Sequence, residues 1–202
     1  MMETAQREKL LWAAMAELGE KGYREASLEG PMNVAGISAN ELEAEFPDKD
    51  ACLFAAYDFL TDLLVAKATS GCASDREWPE RVSEALRALL EEIAAEPEMA
   101  KALTRAFPGI RPATYGRYVE LLARFVPYMQ EGRAYSAVEG ELPGEVELLA
   151  VGAAESIIFS EVEAGRAERL PRMMPEILFS VLVPFMGPDR AADEMRSASA
   201  AL

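Results

Sequence analysis

The sequence predicts an all-α protein, and three observations predict it. Apolar residues recur at helical spacing nearly everywhere, and no run alternates with a period of two. Prolines sit near the starts of the helical stretches and glycines just past their ends. Half of the 202 residues are apolar and 27% are charged, enough to fill a core and solvate a surface. At roughly 150 residues per domain, that length suits more than one domain and fewer than two.

The elements follow in order, about nine to ten helices in all. Leu11, Ala14, Met15 and Leu18 share one face of a first helix over Thr4–Lys21. Gly22 ends it, where left-handed backbone is needed. A short helix starts near Leu28, with Ser27 placed to cap it. Gly36 breaks the chain, and Ser38 caps a second short helix whose Leu42 and Phe46 face inward. Pro47 stops that helix, and Asp48 caps a long one reaching Ala68 with Leu53, Ala56, Tyr57, Leu60 and Leu64 on its stripe. Ser70–Glu77 is a turn-rich linker. Pro79 then opens a helix to Ala95, Pro97 one to Phe107, and Pro112 one to Gly132 that Pro127 should kink. Gly132–Gly144 is a loop. Helices over Glu145–Ala164 and Pro171–Met186 complete the fold, Gly187-Pro188 closes the last, and the tail Arg196–Leu202 is expected to fray.

Composition excludes several chemistries. There is no histidine, which removes His-dependent triads, imidazole metal ligands and the usual proton shuttle near neutral pH. Cys52 and Cys72 are too few for a disulfide framework and too far apart for a CxxC motif, and read as small side chains or, less simply, as redox sensors. No phosphate loop, nucleophile elbow or metal-ligand spacing is present, so no catalytic residue, metal or cofactor is expected. The net charge of −15 opposes non-specific contact with nucleic acid or anionic lipid. The charged start and the absence of a bilayer-length apolar run suggest a cytoplasmic protein with no membrane partner.

Two short helices around Ala35-Gly36-Ile37-Ser38 form a helix-turn-helix signal. With Arg7-Glu8-Lys9-Leu10-Leu11, Glu20-Lys21-Gly22-Tyr23, Ser27-Leu28 and Phe46-Pro47-Asp48-Lys49-Asp50 around it, the stretch from Arg7 to Asp50 resembles the N-terminal domain of tetracycline-repressor (TetR) family regulators. Ala94-Ala95-Glu96-Pro97-Glu98-Met99-Ala100, Gly165–Pro171 and Pro184–Gly187 resemble segments of that family's C-terminal domain. The resemblance implies a three-helix head over residues 1–48 and a ligand-binding and dimerisation body over 49–202, with 48–68 as the connecting helix. It implies a homodimer formed through helices 145–164 and 171–186, a DNA operator, and a small apolar or aromatic effector that modulates repression. Ser27, Ser38, Ala39, Asn40, Glu43 and Lys49 fall at its DNA-contacting positions.

The chain departs from that pattern where DNA chemistry is expected. Family members usually carry a basic and an aromatic residue on the recognition helix, whereas this one offers Glu41, Glu43 and Glu45 and no cation. Residues 1–66 hold five basic and thirteen acidic side chains, a net −8. A carboxylate can accept from cytosine N4 but repels a phosphate. Gly30-Pro31 replaces an apolar, helix-forming pair, Glu17 replaces an apolar residue, and Trp12 a polar one. The alternative reading is therefore a TetR-like dimer that has lost operator binding and acts through a protein partner or small ligand. In the body, Met99, Leu103 and Phe107 share one face, and Tyr118, Leu122, Phe125 and Met129 another. By analogy these, with Phe159, line an effector pocket; periodicity alone fits a filled core equally well.

Overall fold

The computed structural model describes residues 2–70, 75–105, 112–136 and 141–200, with backbone alone at 105 and 112–115. The described elements are helical. In chain order they are α1 Thr4–Glu25, α2 Glu29–Ala35, α3 Ala39–Glu45, α4 Lys49–Thr69, α5 Trp78–Ala95, α6 Pro97–Arg105, α7 Pro112–Ala123, α8 Val126–Met129, a 3₁₀ turn Gln130–Tyr135, α9 Val146–Glu163, a 3₁₀ turn Ala167–Met173 and α10 Met174–Ser199.

The chain forms two compact units. The first comprises residues 1–63 and 98–111, the second residues 64–97 and 112–202. In the first unit α1 buries the predicted stripe Leu10, Leu11, Ala14, Met15 and Leu18 and packs on α2. Gly22 carries a positive φ of 74° with an extended ψ of 166°, a combination open to glycine alone. It kinks α1, and one further turn reaches Glu25 before the helix ends. Gly36 takes the left-handed conformation between α2 and α3, as a helix-turn-helix requires. Phe46 is buried and Leu42 half-buried, both on the inward side expected of them.

In the second unit α10 packs on α5 and α9, and α5 also meets the turn Ala167–Met173. The core there is Trp78, Leu90, Leu170, Met174, Ile177, Leu178, Leu182 and Phe185. Ala167–Ser199 is long and apolar enough to cross a membrane by composition. Its Ile177, Leu178 and Leu182 are fully buried in this unit, the behaviour of a core helix.

Several boundaries differ from expectation. Ser27 does not cap α2: the residue at that cap is Leu28, which makes no side-chain bond. The single kinked helix over Pro112–Gly132 is instead α7, α8 and a 3₁₀ turn, with Pro127 in the first turn of α8. Proline has no N–H to give and is tolerated there, whereas mid-helix it would strand a carbonyl. The expected loop Gly132–Gly144 begins inside that 3₁₀ turn. Gly187 (φ 77°, ψ 168°) is non-helical and ends the first stretch of α10 as expected, but a second helical stretch runs from Pro188 to Ser199, with Ala191 and Ala198 buried, where the tail was expected to fray. The predicted end of α6 at Phe107 lies outside the described residues.

Candidate functional site

The helix-turn-helix of the first unit is built by local chemistry. Ser38 Oγ accepts from the Glu41 amide at 3.3 Å, and Glu41 Oε2 accepts from the Ser38 amide at 2.8 Å and from its hydroxyl at 2.7 Å. This reciprocal box satisfies donors at the start of α3 that have no intrahelical partner. Asp48 Oδ1 accepts from the Ala51 amide at 2.8 Å and caps α4 as expected. Ala39, Asn40, Glu43 and Glu45 are exposed on α3, so its outward surface is small, polar and acidic.

The expected phosphate contacts are otherwise engaged. The Ser27 amide donates to Glu17 Oε1 at 3.1 Å, and Lys21 Nζ donates to the same oxygen at 2.9 Å. The Glu17 side chain is 12% exposed. Its other oxygen would lie 3.8 Å from a β-carbon at Gly30, ordinary contact distance. The two departures Glu17 and Gly30 are thus neighbours: an acid fills the space between α1 and α2 and ties the junction that Ser27 leaves uncapped. Lys49 Nζ donates to the carbonyls of Tyr23 (3.0 Å) and Ala26 (2.9 Å) and lies over the Tyr23 ring. The Tyr23 hydroxyl in turn donates to Asp50. Lys49 therefore fastens the end of α1 to the start of α4. Arg7 pairs with Glu45 at 3.4 Å and lies over the Phe46 ring.

Electrostatics support the permanence of these contacts at neutral pH. The hydrogen bond from Lys21, then that from the Ser27 amide, holds the Glu17 carboxyl below its ordinary value of 4.5. The Ser38 amide and then its hydroxyl do the same for Glu41. In the second unit Arg133 lowers Glu147, and Arg166 lowers Glu161. A carboxylate with a depressed folded-state pKa stabilises the fold above its unfolded pKa. That stabilisation is lost as pH falls through the folded value. The melting temperature should therefore hold from neutrality to about pH 5 and then drop as all four carboxylates protonate. Thermal melts followed by circular dichroism across that range check this, and a profile flat to pH 3 would overturn it. Burial pushes the Cys52 thiol up to about 11, which makes it an inert core side chain rather than a redox sensor.

The candidate pocket residues fall into both units. Met99 is buried and Leu103 half-buried on α6, in the first unit. Tyr118, Leu122, Phe125 and Phe159 are half-buried and Met129 buried, in the second. Phe107 lies outside the described residues. The second unit holds what the sequence did not announce. The Trp78 indole N–H donates to the Tyr128 carbonyl at 2.9 Å, and its ring packs on Tyr135 and edge-on to Phe185. Arg133 donates to both oxygens of the buried Glu147 and to the carbonyls of Leu142, Pro143 and Gly144. Glu147, one of two acids among the buried residues of α9, was the available signal of that clamp. Among the described residues no three His, Cys, Asp or Glu side chains are grouped so as to hold a metal ion.

A helix-turn-helix head followed by a helical body is the arrangement that comparison with solved structures finds again. A TetR family transcription regulator from Marinobacter aquaeolei VT8 aligns with a TM-score of 0.59 at 17% identity, over 98% of this chain and 95% of that one. A TetR-like transcriptional regulator from Rhodococcus sp. RHA1 aligns at 0.57 and 18%, over 91% and 98%. The chain has the TetR-regulator fold. No protein-family model and no curated protein matches the sequence. Fewer than one residue in five is shared with either neighbour.

Proposed function

We propose that the protein is a cytoplasmic, homodimeric one-component regulator of transcription, a repressor whose DNA binding responds to a small apolar or aromatic effector. The observation that carries this reading is the likeness to two transcription regulators over nearly the whole chain, head and body together. In this reading residues 1–48 face DNA and 49–202 bind the effector and dimerise. The body's candidate contacts are Met99, Leu103, Phe107, Tyr118, Leu122, Phe125, Met129 and Phe159. Dimerisation through α9 and α10 is supported by the composition of α9. Its sequence is apolar on nearly every side, yet Leu149 is 64% exposed and Gly152 and Ala153 half-exposed. A helix of that kind is ordinarily covered all round. Enzymatic activity has no residue constellation to support it.

A second reading is favoured by the face of α3, where Ala39, Asn40 and Glu43 are exposed and no cation stands among them. Specific binders often neutralise about 6–10 phosphates, a number that the five basic side chains of residues 1–66 do not approach. A TetR-like dimer that acts through a protein partner or a small ligand alone would need none. A gel-shift titration with the DNA flanking the protein's own gene separates the two. The repressor reading expects a sequence-specific complex at about 50 mM salt that weakens as salt rises. No complex at that salt would overturn it and leave the second reading.

A further inference from the structure

Three of the five basic side chains of residues 1–66 are engaged within the first unit. Arg7 pairs with Glu45, Lys21 with Glu17, and Lys49 donates to the Tyr23 and Ala26 carbonyls. The Arg7–Glu45 pair joins α1 to α3 across 38 positions of sequence, so it is set by the fold and not by helical neighbourhood. Glu17 is held more firmly, because it also accepts from the Ser27 amide. Glu8 and Glu25, by contrast, are exposed and enter no ion pair among the described residues.

We infer that the head is self-occluded toward a nucleic-acid backbone: Glu17 and Glu45 act as resident stand-ins for phosphate on Lys21 and Arg7. A duplex must displace these carboxylates before it gains the cations. Each exposed pair of this kind competes with an incoming phosphate by up to about fivefold. The Glu17 contact persists at neutral pH, since its carboxyl is held below the ordinary range. This inference rests on the reading of residues 1–48 as a DNA-facing head.

The test compares two double variants of equal charge. Glu17→Ala with Glu45→Ala frees Lys21 and Arg7, whereas Glu8→Ala with Glu25→Ala removes two acids that enter no ion pair among the described residues. Fluorescence polarisation of a short random-sequence duplex is read over a salt series. Each cation newly available to phosphate steepens the log–log salt slope by about 0.9, so the first variant should gain about 2 over wild type. The control should bind somewhat more tightly with its slope unchanged. Equal slopes in the two variants, or a wild-type slope already as steep as the first variant's, would overturn the inference and leave the head reading standing. If no variant binds the duplex although each melts cooperatively, the head reading falls with it. Should the first variant fail to melt cooperatively, Glu45→Ala alone takes its place, with the Glu17 contacts intact and a gain of about 0.9 expected. An unchanged slope there overturns the inference.

Discussion

Replacing Trp78 with alanine should destabilise the protein by about 3–5 kcal/mol, the cost of emptying a large aromatic site. The indole is 1% exposed, so truncation leaves a cavity rather than a dent. Its N–H bond to the Tyr128 carbonyl is lost as well, stranding an acceptor. The neighbours cannot close the gap easily. Gly132 comes so near that a β-carbon there would lie 2.6 Å from the indole and 2.8 Å from Phe185. Urea unfolding gives the free energy, and for a chain of this length the melting temperature should fall by roughly 10 °C. Gly132→Ala should destabilise alone by about 1–3 kcal/mol through overpacking. In the Trp78→Ala background it should cost less, because the indole clash is gone and the Phe185 ring can shift into the vacated site. A double-mutant cycle reads that difference. Strict additivity would show that the two positions do not touch.

Gly19→Val should destabilise by about 2–3 kcal/mol for a related reason in the other unit. A β-carbon at Gly19 would lie 2.8 Å from the Glu98 carbonyl oxygen and 3.0 Å from the Ala102 β-carbon. A carbonyl is backbone and cannot swing aside as a side chain would. Valine must therefore push α6 away from α1. The comparison is Gly116→Ala on α7, where a β-carbon meets nothing within 4 Å. There the gain in helix propensity, up to about 1 kcal/mol, stands unopposed. Opposite signs are expected in chemical denaturation of the two variants. A stabilising Gly19→Val would mean that α1 and α6 do not approach closely.

The legible parts of the head were those in which one residue type has one physical use. Gly36 marks a left-handed turn, Ser38 with Glu41 marks a helix start, and Leu42 with Phe46 marks an inward face. Ser27 was misleading because the same serine suits a cap, a turn or plain solvent. Its amide met a carboxylate ten positions earlier, and no local rule reports such a partner. Lys49 likewise has partners that no local rule reports. A cation at a helix start near a proline fits a phosphate contact, yet two carbonyls at the end of α1 reach it first. On α10, Gly187-Pro188 carried a stop signal that the non-helical Gly187 obeys, while the helical stretch beyond it, with Ala191 and Ala198 buried, had no local announcement.

Periodicity and punctuation alone determined the helical class, the placing of most helices and the anionic face of α3, because each depends on residues near one another in the chain. Tertiary structure alone decided which acid meets which base, why Gly19 and Gly132 must lack a side chain, and which unit holds each residue once assigned to a pocket. Those outcomes depend on distances between segments far apart in sequence. Such distances are set by how faces pack, and a pattern along one strand of text does not contain them.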